Sequence, residues 1–161
     1  MIVEDAVLPD DIEEVLALNN AAVPAVNALD ADALRSLCAM GQLRVVRGEG
    51  VEGLCLTLQS GAPYESGNYQ WFSGQFDRFM YVDRIVVAPT AKGRGIGRAL
   101  YEDTFARAAA LGQPRVCSEV NSDPPNPQSM AFHASLGFEP IHERLNPSEG
   151  KTVRMMVRPI G

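Results

Sequence analysis

The run Lys92-Gly93-Arg94-Gly95-Ile96-Gly97-Arg98 places three glycines and three cations within seven residues of a chain whose formal net charge is −6. Glycine lets a backbone approach oxygen atoms closely, and the free N–H groups and dipole at a helix start favour an anion. Because the run separates a β-branched stretch from a helical one, the chemistry it offers is capture of a phosphate. The competing reading is a tight strand-to-helix turn that merely needs glycines. A dinucleotide fingerprint starting at Gly93 requires glycine where Arg98 stands. No G-x-x-x-x-G-K-[ST] run occurs either, which removes the main support for nucleotide hydrolysis. Downstream, Asn126, Ser129 and His133 are three and four residues apart and share one helix face. A metal is not expected, because His133 and His142 lie nine apart without a third clear ligand. Cys38, Cys55 and Cys117 are widely spaced and form no C-x-x-C pair, so they read as reduced core thiols.

The elements that must position these residues belong to a chain of 161 residues, 46% hydrophobic and 21% charged, the profile of one globular domain spanning 1–161. With 14 Lys+Arg against 20 Asp+Glu, general nucleic-acid binding is not expected. The N-terminus turns acidic by position four, and no apolar run approaches the ~18 residues a membrane span needs. The expectation is a cytoplasmic protein without a membrane partner. Helical spacing of Ile12, Val15, Leu16 and Leu18 follows Pro9-Asp10-Asp11, and a second helix is expected over Asp30–Met40, stopped by Gly41. Gln42–Arg47 and Val51–Leu58 read as strands of a hairpin turning at Gly48-Glu49-Gly50. Residues 59–78 are the least regular and carry Tyr64, Tyr69, Trp71, Phe72 and Phe76, rings that either line a pocket or cover the core. Phe79–Ala88 reads as a central strand and Ile96–Leu111 as a long helix. Arg115–Val120 reads as a strand, and Asn126-Pro127 caps a last helix that ends near Gly137. Glu139–Arg144 and Thr152–Arg158 close the chain as strands around a turn at 146–150. The order is mixed α/β.

Two of these segments resemble the GNAT superfamily of N-acetyltransferases. Its pyrophosphate loop reads [QR]-x-x-G-x-[GA] after the central strand, and Lys92-Gly93-Arg94-Gly95-Ile96-Gly97 matches with Lys92 in place of Gln or Arg. Asn126 through Phe138 is similar to the family's N-x-x-[SA]-x-x-[FL]-Y-x-x-x-G-F segment, with His133 at the usual tyrosine. The resemblance implies a GNAT fold: a central mixed, mostly antiparallel sheet with splayed fourth and fifth strands, flanked by about four helices. It also implies transfer of an acetyl group from acetyl-CoA to an amine of a small molecule or peptide by direct attack, without a metal. A non-catalytic sensor or interaction module that binds CoA or acyl-CoA is the alternative, kept alive by the exchange of tyrosine for His133.

Carried over residue by residue, the resemblance sets the main chain of Ile85, Val86 and Val87 along the pantetheine arm. Lys92, Gly93, Arg94, Gly95, Ile96, Gly97 and Arg98 would then hold the pyrophosphate, and Asn126, Ser129 and His133 would line the cofactor. His133 takes the position of a general acid for the departing thiolate. A lysine-like amine is mostly protonated near neutrality, so a base is required. Asp83 is expected there, since Tyr81, Asp83, Ile85 and Val87 alternate along one strand face; Glu119 is the reserve. Tyr64, Tyr69, Trp71 and Asp83 are the expected acceptor contacts, and a homodimer through the late strands fits relatives of this fold.

Overall fold

The computed structural model describes residues 1–146 and 149–161. Pro147 and Ser148, within the expected turn at 146–150, lie outside the described residues. The elements run β1 (Val3–Asp5), α1 (Ile12–Ala21), α2 (Ala31–Met40), β2 (Gln42–Gly48), β3 (Gly50–Gln59), α3 (Gly67–Gln75), β4 (Met80–Val87), a 3-10 turn (Pro89–Ala91), α4 (Ile96–Ala110), β5 (Arg115–Asp123), α5 (Pro127–Ser135), β6 (Glu139–Asn146) and β7 (Lys151–Pro159). The strand order is β1-β2-β3-β4-β5-β7-β6. β1–β2, β2–β3, β5–β7 and β6–β7 pair antiparallel and β4–β5 pairs parallel, so the sheet is mixed and mostly antiparallel, as expected.

Contacts divide the chain into two compact units. The first comprises Met1–Leu58 and Val82–Ala106. In it Asp30 caps α2, its carboxylate accepting from the Ala33 N–H at 2.8 Å, while Leu34 and Leu37 turn inward. The β2–β3 hairpin closes on Gly50, whose φ of +131° favours glycine. Asp11 does not cap α1 with its side chain. Its carboxylate instead accepts from the Val7 N–H and from both terminal nitrogens of Arg47, each at 2.6 Å. The Arg47 hydrogen bonds hold its pKa down to about 2. Arg44 forks onto Asp103 at 2.8 and 3.1 Å, tying β2 to α4.

The second unit comprises Gln59–Tyr81 and Arg107–Gly161. Its ladder runs β5–β7–β6, with a bulge in β6 between Pro140 and His142. Among the described residues the parallel β4–β5 ladder is confined to the start of β4, where Met80 faces Val116 and Tyr81 faces Cys117. Tyr69, Phe72, Phe79 and Tyr81 are each no more than 1% exposed and form an aromatic core. Their ring centroids lie 5.4–6.3 Å apart in tilted and edge-on arrangements.

The stretch 59–78, the least regular in the sequence, contains α3, one of five α-helices among the described residues. Gly67, Asn68 and Gly74 lower helix propensity along it. Burial of Tyr69 and Phe72, three residues apart on one face, outweighs that deficit. Ser66 caps the start with its hydroxyl oxygen toward the Tyr69 N–H.

Candidate active site

The glycine run begins where β4 gives way to the 3-10 turn. Ala91, fully buried, anchors this turn and donates to the Ala88 carbonyl at 2.9 Å. Lys92 to Gly95 then emerge at the surface, and Ile96 and Leu100 drop back into the core at 2% and 0% exposure. Gly93 and Gly95 have φ of +84° and +80°, and a Cβ on either would meet nothing within 4 Å. These two glycines therefore serve the backbone conformation and an open approach, not internal packing. The first intrahelical bond of α4 runs from the Ala99 N–H to the Gly95 carbonyl at 3.0 Å, so the preceding amides have no acceptor within the helix. Arg94 reaches back to Glu52 at 3.3 Å, and Lys92 and Arg98 stand exposed on the rim. An anion is the natural guest of this arrangement.

Gly53 of β3 sets the height at which α4 starts. A Cβ there would lie 2.5 Å from Ile96 Cγ2 and 3.3 Å from Leu100 Cδ1, on the first turn of α4. Gly53→Ala is expected to lift that turn, lower stability by about 1–3 kcal/mol and weaken anion capture by the loop. Chemical denaturation together with ligand titration checks both effects.

In the same unit, Asp83 and Arg84 form a nearly buried pair at 2.7 Å, with side chains 5% and 9% exposed. Arg84 also donates to Asn19 Oδ1 at 2.9 Å and to the Asn27 carbonyl at 3.0 Å. The Asp83 carboxylate thus shares its charge with a guanidinium that is itself fixed to α1 and the loop after it. Ile85 and Val87 are partly exposed, and Val86 between them is buried.

The second unit holds a polar chain that sequence reasoning missed as a group. The Tyr81 hydroxyl donates to the Glu119 carboxylate, lying 2.7 and 2.9 Å from its oxygens. Asn68 Nδ2 donates to Glu119 Oε1 at 3.2 Å, and Asn68 Oδ1 accepts from Arg144 at 2.9 Å. Of these, the sequence marks Glu119 as a candidate and strand alternation marks Tyr81, whereas Asn68 and Arg144 come from α3 and the outer strand β6 and carry no local signal. Among the expected acceptor contacts, Tyr69 is 1% exposed and donates to the Gln59 carbonyl at 2.6 Å, placing it in the core. Tyr64 packs on Tyr69 with centroids 5.5 Å apart. Trp71 is half-buried and stacks on His142 at 4.8 Å.

Asn126 caps α5, its side-chain oxygen accepting from the Ser129 N–H at 3.2 Å. His133 is 4% exposed, and its Nδ1 lies 2.7 Å from the Ser129 carbonyl. A carbonyl only accepts, so Nδ1 carries the proton and Nε2 the lone pair in the neutral ring. Burial pushes the imidazole pKa below the ordinary histidine value, more than the Ser129 hydrogen bond raises it. The folded chain then binds fewer protons than the unfolded one just below pH 6.5. Stability is therefore expected to fall on acidification through that region. His133→Phe should flatten the His133 share of this fall, on the order of a few degrees in Tm between pH 7.5 and 5.5, read by thermal melts of both proteins.

Two other chemistries find no support in the geometry. Burial pushes the Cys117 thiol up to about 12, far from a thiolate nucleophile. Among the described residues no three His, Cys, Asp or Glu side chains gather as a metal site, and no helix is long and apolar enough to cross a membrane.

Residues 60–138 match the model of the acetyltransferase (GNAT) family. Solved structures share the fold along the whole chain. One is Naa20 of Chaetomium thermophilum in complex with a bisubstrate analogue, at 21% identity, covering 99% of this chain and 87% of that one with a TM-score of 0.77. Another is the ribosomal-protein-S18-alanine N-acetyltransferase of Escherichia coli, at 16% identity, 99% and 94% coverage and a TM-score of 0.74. A third is yncA of Salmonella typhimurium with acetyl-CoA, at 18% identity, 100% and 94% coverage and a TM-score of 0.73. Against curated proteins, no sequence comparison gives a match.

Proposed function

We propose that this chain, whose residues 60–138 match the acetyltransferase (GNAT) family model and whose fold is that of solved N-acetyltransferases, transfers the acetyl group of acetyl-CoA to the amine of a small molecule or peptide by direct attack. The observation that carries this reading is the loop before α4, with two open positive-φ glycines, helix-start amides that have no acceptor within the helix and three cations. Those groups suit the pyrophosphate of a CoA thioester. Lys92 and Arg98 add charge on the rim, and the main chain of Ile85, Val86 and Val87 offers hydrogen-bonding groups for the pantetheine arm. The confinement of the β4–β5 ladder to the start of β4 supports that role. Asn126, Ser129 and His133 would line the arm from α5.

In direct attack the acceptor nitrogen bonds to the thioester carbon as the carbon–sulfur bond breaks. One proton must leave the nitrogen and one must reach the sulfur. Glu119, oriented by Tyr81 and Asn68, is one carboxylate candidate to take the first proton. Asp83, favoured by strand alternation, is the second candidate; its tie to Arg84 supports a positioning role. His133 is the candidate to supply the second proton. With its Nδ1–H engaged by Ser129, it must first gain a proton at Nε2. The whole chain acts as one catalytic domain in this reading, located in the cytoplasm and paired as a homodimer.

Calorimetric titration of the purified protein with acetyl-CoA, followed by thiol release against amines, amino acids and peptides, tests the proposal. Binding with acceptor-dependent thiol release is expected. Binding without release across the panel would favour the sensor reading, and absence of binding would overturn the cofactor assignment.

A further inference from the structure

We infer that Arg144 selects the acceptor, and that the acceptor is an α-amino acid whose carboxylate meets Arg144 while its amine meets Glu119. The inference rests on the proposed transfer reaction and on Glu119 as the amine end of the site. Four side chains from α3, β4, β5 and β6 make one polar chain, Tyr81–Glu119–Asn68–Arg144. Asn68 is the hinge of that chain. A carboxylate can only accept and a guanidinium can only donate, so the Asn68 amide is fixed with its nitrogen toward Glu119 and its oxygen toward Arg144. An anionic pole and a cationic pole thereby stand one side-chain amide apart. The ammonium and the carboxylate of an α-amino acid, both attached to one carbon, have the matching polarity.

The cationic pole is incompletely used. Among the described residues Arg144 makes one hydrogen bond, to the neutral Asn68 amide, and no ion pair. A guanidinium has five N–H donors in a fork suited to a carboxylate, so most of its capacity is left for a ligand. The side chain is nonetheless held in place. Trp71, three residues after Asn68 on α3, stacks on His142, two residues before Arg144 on β6, with rings 13° from parallel. The stack and the Asn68–Arg144 bond are two rungs between the same helix and strand. Gly67 completes the seat, since a Cβ there would lie 2.6 Å from the nearer guanidinium nitrogen.

The test compares each of a set of free amino acids with its own carboxamide in acetyl-CoA-dependent thiol release. The wild-type protein is expected to favour at least one free acid over its amide by about tenfold or more in kcat/KM. Arg144→Gln should bring that acid-to-amide ratio close to one, mainly through the KM of the acid. Gly67→Ala, which displaces the guanidinium without removing it, should lower the ratio in the same direction. Thermal melts identify a variant that has failed to fold, and the remaining variant then decides. Equal use of acids and amides by the wild-type protein overturns the inference, as does a ratio unchanged in a folded variant. Acetyl-CoA binding with no free acid acetylated overturns it too, while leaving the transferase reading in place. Loss of acetyl-CoA binding in the wild-type protein removes the transferase reading itself.

Discussion

Gly95→Glu is expected to abolish acetyl-CoA binding while leaving a folded protein. At φ +80° a non-glycine residue is strained by roughly 1–2 kcal/mol, which a domain of this size tolerates. The space around the Cβ position is empty to 4 Å, so the new side chain clashes with nothing in the chain. It does occupy the open approach to the helix-start amides, and it brings a negative charge to the place proposed for a pyrophosphate. Steric block and repulsion together should weaken binding at least about a thousandfold, or about 4 kcal/mol. Gly95→Ala carries the strain without the charge and should lose much less. Calorimetric titration of the two variants, with melting curves to confirm folding, separates the contributions. Near-normal acetyl-CoA affinity in Gly95→Glu would remove the loop from the cofactor site.

Glu119→Gln is expected to lower kcat by roughly a hundredfold to ten-thousandfold while acetyl-CoA still binds. Glutamine keeps the size of the side chain and an oxygen that accepts from Tyr81 and Asn68, so the polar chain is largely preserved. What is lost is the ability to take up a proton at that point. Asp83→Asn tests the other carboxylate, and its expected signature differs. It leaves Arg84, 9% exposed, without its carboxylate partner, which costs about 3–5 kcal/mol when a buried pair is broken from one side. The effect of Asp83→Asn should therefore appear in Tm before it appears in kcat. Full activity in Glu119→Gln beside a folded but inactive Asp83→Asn would exchange the two roles.

Much of this architecture follows from local chemistry visible in the sequence. Asp30 and Asn126 cap helices as their positions predict, and the Gly48–Gly50 turn closes the expected hairpin. The glycine loop was legible for the same reason: its conformational demand is carried by consecutive residues. α3 was not, because its stability comes from packing of Tyr69 and Phe72 among Phe79 and Tyr81, a long-range contribution that overrides weak propensity. The polar chain through Glu119 was hidden in the same way. Its members lie at positions 68, 81, 119 and 144, and only pairing of β4, β5, β7 and β6, with α3 added, brings them together. Asp83 stood out by alternation, whereas its engagement by Arg84 and, through Arg84, by Asn19 depended on where α1 packs.

The outer strand β6 also bears on how this chain behaves in a crowded solution. It is last in the strand order, and Ile141 and Leu145 are exposed on it at 44% and 63%. An edge of that kind invites annealing with a strand from another molecule. Pro140 has no N–H to offer, the bulge after it breaks the regular spacing of donors, and Glu143 and Arg144 set charge along the remainder. Together these features deny an incoming strand a continuous ladder and protect the molecule from edge-to-edge aggregation. Engineering that straightens β6 or removes Pro140 would trade that colloidal safety for a longer, stickier edge.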